Sequence, residues 1–325
     1  MSKALGIVSG GLDSSLAIMA LMRQDIEVAG IAFTTPFFGA EKAKIAATAI
    51  GHHLIVANIS EIHLKVLKDP KHGYGRNMNP CIDCHALMFQ LAGETMVAEG
   101  FDFLFSGEVL GQRPMSQNAN ALKSVAKLSG FADKIIRPLS AKLLDPTAME
   151  ISGLVDREQL LDFQGRSRRP QQALAKEWGL QDYPGSGGGC LLTEAGFSNQ
   201  LRDLFSHSPE ASVSDIELLK TGRIFRLSAT SKLILGRHQR DNEAMQKIAG
   251  DNQLQMRAKD HSGSLCLFCG EQSQPDLDIA AAIVASYGKG KDEEEVDVLC
   301  STTETEFVRR VKPLSREVSR ELLVR

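Results

Sequence analysis

The stretch Ser9-Gly10-Gly11-Leu12-Asp13-Ser14-Ser15 limits what this chain can fold into more than any other part of it. Residues 4–8 before it form a short apolar run that reads as a buried strand. Residues 16–22 after it are apolar enough to begin a packed helix. A strand, a glycine turn and a helix start, in that order, make an anion site. The free amides of the first helical turn and the helix dipole both favour negative charge there. Gly10 and Gly11 let the backbone approach phosphate oxygens with no Cβ in the way. Ser9, Ser14 and Ser15 add hydroxyl donors, and Asp13 suits a magnesium ion bridging those phosphates. The loop lacks the longer glycine span and the closing Lys-Ser/Thr of a Walker-type loop. An ordinary helix cap would not need two glycines, an aspartate and paired serines together.

Strands and helices then alternate. Residues 28–33 and 53–59 read as strands around a helix at 41–50, with further strands at 101–105 and 134–139. This pattern predicts an α/β fold with a doubly wound parallel sheet, followed by a second, smaller α+β domain. Ligands of such sheets sit beyond the carboxyl ends of the strands, which makes Phe33 and Thr34 candidate adenine contacts. The same edge receives Glu108, Gln112, Arg113 and Ser116. Residues 147–150 carry a capping-box spacing, and Pro170 suits the first turn of a helix ending near Gly179. Arg166, Arg168 and Arg169 just before it form a candidate RNA-phosphate patch, or a solvated approach to the helix.

The cysteines fall into two sets. Cys81-Ile82-Asp83-Cys84-His85 opens a helix, where the dipole and free amides favour thiolate. A CxxC there suits a redox pair, half a zinc site or part of an iron–sulfur site. Cys190 ends the glycine-rich run at 184–190, which leaves room for its thiol to swing toward a substrate or a metal. Cys266 and Cys269 lie within an apolar run and read as small core residues of a strand.

The chain has 325 residues, 43% of them hydrophobic and 24% charged, as expected of a soluble two-domain protein. No apolar run is long enough to span a membrane, and the start has no signal-peptide layout, so the expected address is the cytoplasm. There, six cysteines suit ligation, redox work or packing better than structural disulfides. A net charge of −3 excludes a generally basic nucleic-acid binder, so RNA contacts would be local. The tail from Phe307, with Arg309, Arg310, Lys312, Arg316, Arg320 and Arg325, is such a patch. Arg223, Arg226, Arg237 and Arg240 extend it.

SGGLDSS after an N-terminal strand resembles the PP-loop ATPases, which grip the pyrophosphate part of ATP and cleave between the α and β phosphates. Together with CxxCH and the later Gly-Gly-Cys, it is similar to the tRNA thiouridine synthetases of that group. The resemblance covers residues 1–200. It implies that a uridine oxygen is adenylated and that sulfur displaces AMP. It also implies that Ser9, Gly10, Gly11, Leu12, Asp13, Ser14, Ser15 and Phe33 bind ATP, with Asp13 on magnesium. Asp13, Cys84 and Cys190 would be catalytic. The 2-thiouridylase-like branch has a matching Asn79-Pro80, Cys84 and Cys190, but carries Asp where this chain has Cys81. Three cysteines instead resemble the 4-thiouridine-type branch that holds a 4Fe–4S cluster, here on Cys81, Cys84 and Cys190.

Residues 215–325, with Lys232 to Arg237, Asp241-Asn242-Glu243 and Ser286-Tyr287-Gly288-Lys289, are similar to the NFACT-R RNA-binding domain. The implied partners are tRNA or another structured RNA, met by Arg166, Arg168, Arg169, Arg237, Arg309 and Arg310. A sulfur donor (sulfide or a cysteine desulfurase) and a homodimer are further expectations. Two readings stand beside this one: a PP-loop sulfur transferase or amidating ligase for a small molecule, and a non-catalytic RNA-binding factor.

Overall fold

The computed structural model describes residues 2–181, 183, 189–250 and 253–325. The chain divides into two compact units, Met1–Thr193 and Glu194–Arg325.

The first unit runs β1 (Lys3–Ile7), α1 (Leu12–Met22), β2 (Glu27–Thr34), α2 (Glu41–Ile50), β3 (His53–Asn58), α3 (Ser60–Lys68) and α4 (Cys81–Glu99). It continues with β4 (Phe103–Ser106), α5 (Ala119–Ser129), β5 (Ile135–Ile136), α6 (Ala148–Ile151) and α7 (Arg169–Glu177). The strands form one sheet in the order β3-β2-β1-β4-β5, and every neighbouring pair is parallel. This is the expected doubly wound α/β sheet. Chain order reverses between β1 and β4, so the loops leaving these two strands meet at the switch point where such sheets bind ligands.

Both faces of β1 are covered, which is why it reads as a continuous apolar run rather than an alternating one. Ala4 joins a buried cluster with Leu16, Ile18 and Phe103. Leu5, one residue on, joins the cluster of Ile31, Leu87, Phe89 and Val125. Gly6 is needed for close packing, since a Cβ there would lie 2.1 Å from the Phe105 ring. The helix cap of α6 is the predicted capping box of Thr147 and Glu150. Helices α3 and α5 were not expected from the sequence, and α3 supplies a residue of the candidate site.

The second unit contains α8 (Ala195–His207), α9 (Val213–Leu219), β6 (Arg223–Arg226), β7 (Ser231–Leu235), α10 (Gln239–Ile248) and β8 (Leu254–Ala258). It closes with β9 (Cys266–Gly270), α11 (Gln274–Ser286), β10 (Val296–Ser301), β11 (Glu306–Val311) and α12 (Arg316–Glu321). Its sheet order is β11-β10-β8-β9-β7-β6, with antiparallel pairing throughout. The alanine-rich α11 buries Leu277, Ala280, Ala281 and Val284 in the cluster that includes Phe225, Met256 and Phe268. The basic tail from Phe307 is part of this fold. Residues 306–311 pair with β10, and α12 follows. Among the described residues no helix is long and apolar enough to cross a membrane.

Gly6→Ala is expected to lower the urea midpoint of the first unit by the equivalent of about 1–3 kcal/mol, the usual cost of overpacking. Ile45→Ser, at a position 67% exposed, should stay within about 0.5 kcal/mol. An unchanged midpoint for Gly6→Ala would mean that β1 and β4 are not held by this contact.

Candidate active site

Gly11 is the N-cap of α1, in extended backbone at φ −86° and ψ 167°, and no side chain caps the helix. The first-turn amides are therefore left for a ligand. A Cβ on Gly11 would meet only Ser9 Oγ, at 3.5 Å, so there is open space over the turn. Gly10 serves the fold instead. Its φ is +71°, and a Cβ would lie 2.1 Å from the Lys42 carbonyl oxygen at the start of α2. From the other side, a Cβ on Gly107 would lie 2.5 Å from the Ser14 nitrogen. The loop is thus held between α2 and the turn after β4.

The side chains around the loop are unequal in what they offer. Ser9 is exposed, and its Oγ accepts from the Gly11 N–H at 3.4 Å. Ser14 Oγ donates to the Gly11 carbonyl at 2.9 Å, and both Ser14 and Ser15 are buried. Leu12 is a core side chain, so only its backbone faces the ligand question. Phe33, expected near adenine, has its ring in the buried cluster of Leu87 and Phe89. Its side chain is committed to packing, which leaves the backbone of Phe33 for the expected contact.

Asp13 Oδ2 accepts from Gln112 Nε2 at 2.8 Å and from Arg168 Nη2 at 2.9 Å. Gln171 Nε2 in turn donates to Gln112 Oε1 at 3.0 Å. Asp13 Oδ1 is buried and has no hydrogen-bond partner. Leaving such an oxygen unsatisfied costs about 1–3 kcal/mol or more, so a cation beside it would be welcome. In this respect the site fits magnesium. Arg168 had been grouped by sequence with an RNA patch, yet its guanidinium sits at the glycine loop. Arg166 and Arg169 are exposed.

The cysteine helix α4 begins at Cys81, so both thiols of the CxxC lie in its first turns. Asn79 Nδ2 donates to Cys81 Sγ at 3.2 Å. Cys84 Sγ lies 3.3 Å from Nε2 of His63, which comes from α3. His63 is set against Phe37 and Phe38, with ring centroids 5.5 and 5.8 Å away. Cys190 precedes a short 3-10 turn whose Leu191 N–H donates to the Phe37 carbonyl at 3.0 Å. Asn77 Nδ2 donates to the Thr193 carbonyl at 2.6 Å. Cys190 is therefore carried to the Phe37–His63–Cys84 group, and the three thiols feel one another electrostatically. Residues 184–188 of the glycine-rich run lie outside the described residues.

Burial pushes the Cys84 thiol well above the usual thiol range, and the neighbouring Cys190, Cys81 and Asp83 push it the same way. Burial likewise lifts Cys190, to about 11, against the Leu192 amide and Arg113. Burial lowers His63 to about 4, so this imidazole is neutral. The expectation of a thiolate at Cys84 is overturned: lost hydration outweighs the helix dipole. Among the described residues no group of three or more His, Cys, Asp or Glu is placed to hold a metal ion. The three thiols suit a 4Fe–4S cluster in kind, but they do not form a converged ligand set. In the second unit, Cys266 is buried and Cys269 Sγ accepts from Gln253 Nε2 at 3.1 Å. Three residues apart on one strand, they face opposite sides of the sheet.

One carboxylate ties the two parts together. Glu108 follows Gly107 in the turn against α1, and its Oε1 is 2.9 Å from Nδ1 of His85, the residue after Cys84. Its Oε2 accepts from Arg137 Nε at 2.9 Å and from Ser106 Oγ at 3.2 Å. Burial alone would raise Glu108, but the Arg137 charge and the bonds from His85 and Arg137 hold it down to about 2. Asp83 makes a second pair, with Oδ1 2.8 Å from His72 Nδ1. Sequence reading missed His63, His72 and Arg137. His85 was visible as the fifth residue of CxxCH, but without its partner.

Four of the second unit's arginines are paired with aspartates. Arg237 Nε donates to Asp241 at 2.7 Å and Arg310 Nε to Asp297 at 2.8 Å. Arg309 is paired with Asp278 and Gln274, and Arg226 with Asp203.

Glu108 titrates lower in the folded chain than its ordinary value of 4.5, so it contributes stability above that value and loses it as pH falls through about 2. Glu108→Gln should therefore flatten the acid limb of the stability–pH curve. Equal acid sensitivity in the two proteins, measured by chemical denaturation, would contradict the clamp. Alkylation of Cys190 should be slow at neutral pH and rise toward pH 11, and Arg113→Ala should slow it further. Mass-spectrometric labelling that is already fast at neutral pH would contradict the burial.

Residues 1–143 match the family model of the thiamine biosynthesis protein (ThiI), and residues 222–322 match that of the NFACT protein RNA binding domain. No curated protein sequence matches the chain significantly. Among solved structures, a 4-thiouridine synthetase–RNA complex with bound ATP aligns at 18% identity over 56% of this chain and 54% of that one, with a TM-score of 0.35. A predicted subunit of a tRNA methyltransferase from Methanocaldococcus jannaschii aligns at 15% over 55% and 76%, with a TM-score of 0.35. The C-terminal part of a fibronectin/fibrinogen-binding protein from Streptococcus suis aligns at 14% over 48% and 72%, with a TM-score of 0.30. With scores this low, the fold rests on the strand orders above. The family matches bear out both resemblances: the first unit is similar to the ThiI model over residues 1–143 and the second to the NFACT RNA binding domain model over residues 222–322.

Proposed function

We propose that the chain is an ATP-dependent tRNA sulfurtransferase that adenylates a uridine oxygen and replaces it with sulfur, forming AMP and pyrophosphate. The observation that carries this reading is the turn at Gly107 and Glu108. It touches the open N-terminus of α1 on one side and His85 of the cysteine helix on the other. An activating loop and a sulfur-handling group on one sheet edge are what two-step thiolation requires.

The first-turn amides of α1 and the Ser9 hydroxyl would hold the pyrophosphate part of ATP. Magnesium, held by Asp13, would neutralise charge on the leaving pyrophosphate. Gln112 and Arg168, both on Asp13 Oδ2, orient that carboxylate. The uridine carbonyl oxygen attacks the α-phosphorus, and pyrophosphate leaves.

Sulfur would arrive as a persulfide on Cys190, which is more accessible than the buried Cys84. Its terminal sulfur bonds to the activated carbon, and AMP leaves with the former carbonyl oxygen. Cys84, 3.3 Å from His63, then attacks the Cys190 sulfur, forming a disulfide and freeing the thiocarbonyl, and the proton Cys84 loses is balanced by the one the released thiouridine takes up. An external thiol reductant restores both cysteines. The second reading, a 4Fe–4S cluster on Cys81, Cys84 and Cys190, is favoured by the presence of a third thiol within electrostatic reach. A persulfide pair has no need of Cys81.

Nucleoside mass spectrometry of RNA from cells carrying variants tests this. Asp13→Ala, Cys84→Ser and Cys190→Ser should each abolish one sulfur-containing nucleoside, while Cys81→Ser should retain at least about half. Loss in Cys81→Ser, together with iron and sulfide in anaerobically purified protein, would replace the persulfide route by the cluster. An unchanged profile in all four would refute thiolation.

A further inference from the structure

The second unit contains a cavity of about 400 Å³ lined by Arg223, Ser286, Tyr287, Gly288, Lys291, Arg316, Arg320 and Leu323. It lies where β6, the end of α11 and α12 meet, and no carboxylate is among its lining residues. Arg223, Arg316 and Arg320 are exposed, and among the described residues none has an ion-pair partner. Lys291 is only 3.9 Å from the exposed Asp292. The three arginines stand apart from Arg226, Arg237, Arg309 and Arg310, each of which is paired with an aspartate, as Lys291 is with Asp292.

A structural role does not explain the group. Cations do complement a helix C-terminus, but that end carries only about half an elementary charge. Four positive side chains around one helix end exceed it several-fold and repel one another unless an anion sits among them. The aromatic component narrows the choice of anion. Tyr287 is half-buried, packs edge-on against Phe225 at 5.7 Å, and has the Arg223 guanidinium 5.5 Å from its ring centroid. An aromatic ring beside arginines, in a concave site, suits an unstacked nucleotide: phosphate on the guanidiniums, base against the ring. The cavity volume falls within the range that encloses a small-molecule-sized group. An acidic lipid headgroup would satisfy the cations, but it has no use for the ring.

We infer that this cavity is the nucleotide-gripping site of the second unit: Arg223, Arg316, Arg320 and Lys291 hold an RNA phosphate, and the adjoining unstacked base rests on Tyr287. This inference rests on reading the second unit as the part that holds RNA. The paired arginines, Arg237, Arg309 and Arg310, then serve the fold first.

The test uses the full chain and fluorescein-labelled bulk tRNA, with anisotropy titrations at several potassium chloride concentrations. Arg223→Ala/Arg320→Ala should weaken binding about tenfold or more and reduce the slope of log Kd against log salt by about two. Lys247→Ala, exposed on α10, should change affinity less than about twofold. Tyr287→Phe keeps the ring and should keep the affinity. Circular-dichroism melts check that the exposed arginine variants remain folded. Wild-type affinity and slope in the double variant would overturn the assignment and leave the RNA reading standing. Wild-type chain that binds no tRNA would overturn both. If the double variant loses binding to phosphatidylserine–phosphatidylcholine vesicles while keeping tRNA affinity, the cavity belongs to a membrane surface and the assignment fails.

Discussion

The buried carboxylate of Glu108 is the contact that joins the glycine loop to the cysteine helix in the first unit. It sits one residue after a glycine that must press against α1, and its two oxygens reach His85 and Arg137. Removing one member of such a group leaves an uncompensated buried charge, which costs several kcal/mol, about 3–5 in typical cases. The arrangement is therefore either complete or badly strained. That property suits a contact that holds the glycine loop and the cysteine helix in register, as the proposed function requires.

The cysteine region shows two physical effects in competition. A helix start favours thiolate, and that effect is real but modest, about 0.3–1 kcal/mol at an exposed site and about 2 at most. Burial beside His63, itself set against Phe37 and Phe38, works the other way, and burial wins at Cys84. A thiol kept neutral until its reaction partner arrives is protected from stray oxidation, because thiolate is the oxidisable form. His63, itself neutral, lies 3.3 Å from that thiol and adds no charge that would ionise it.

Much of the fold was legible because it rests on local signals. Runs of β-branched and apolar residues, a glycine loop before a helix, and a capping box each carry their meaning within a few residues. Residues 41–50 read as a helix and are α2. What could not be read depends on partners far apart in sequence. Arg168 meets Asp13 across 155 positions, and Cys84 meets His63 only because α3 packs against α4. Phe33 lay at the right end of the right strand, but side chains alternate along a strand and its ring turns into the core. The arginines of residues 306–311 read as a basic patch because their aspartate partners, Asp278 and Asp297, sit on other elements. Charge in sequence does not show which of these arginines already has an aspartate partner.

Activation and sulfur delivery at a single sheet edge is the central claim, and the stoichiometry of one turnover tests it most directly. Purified chain, unmodified tRNA, a persulfide donor and ATP labelled at the α-phosphate should yield labelled AMP only when RNA is present. That AMP should equal the sulfur incorporated into RNA, one for one. Formation of ADP, or AMP released at the same rate without RNA, would contradict the account.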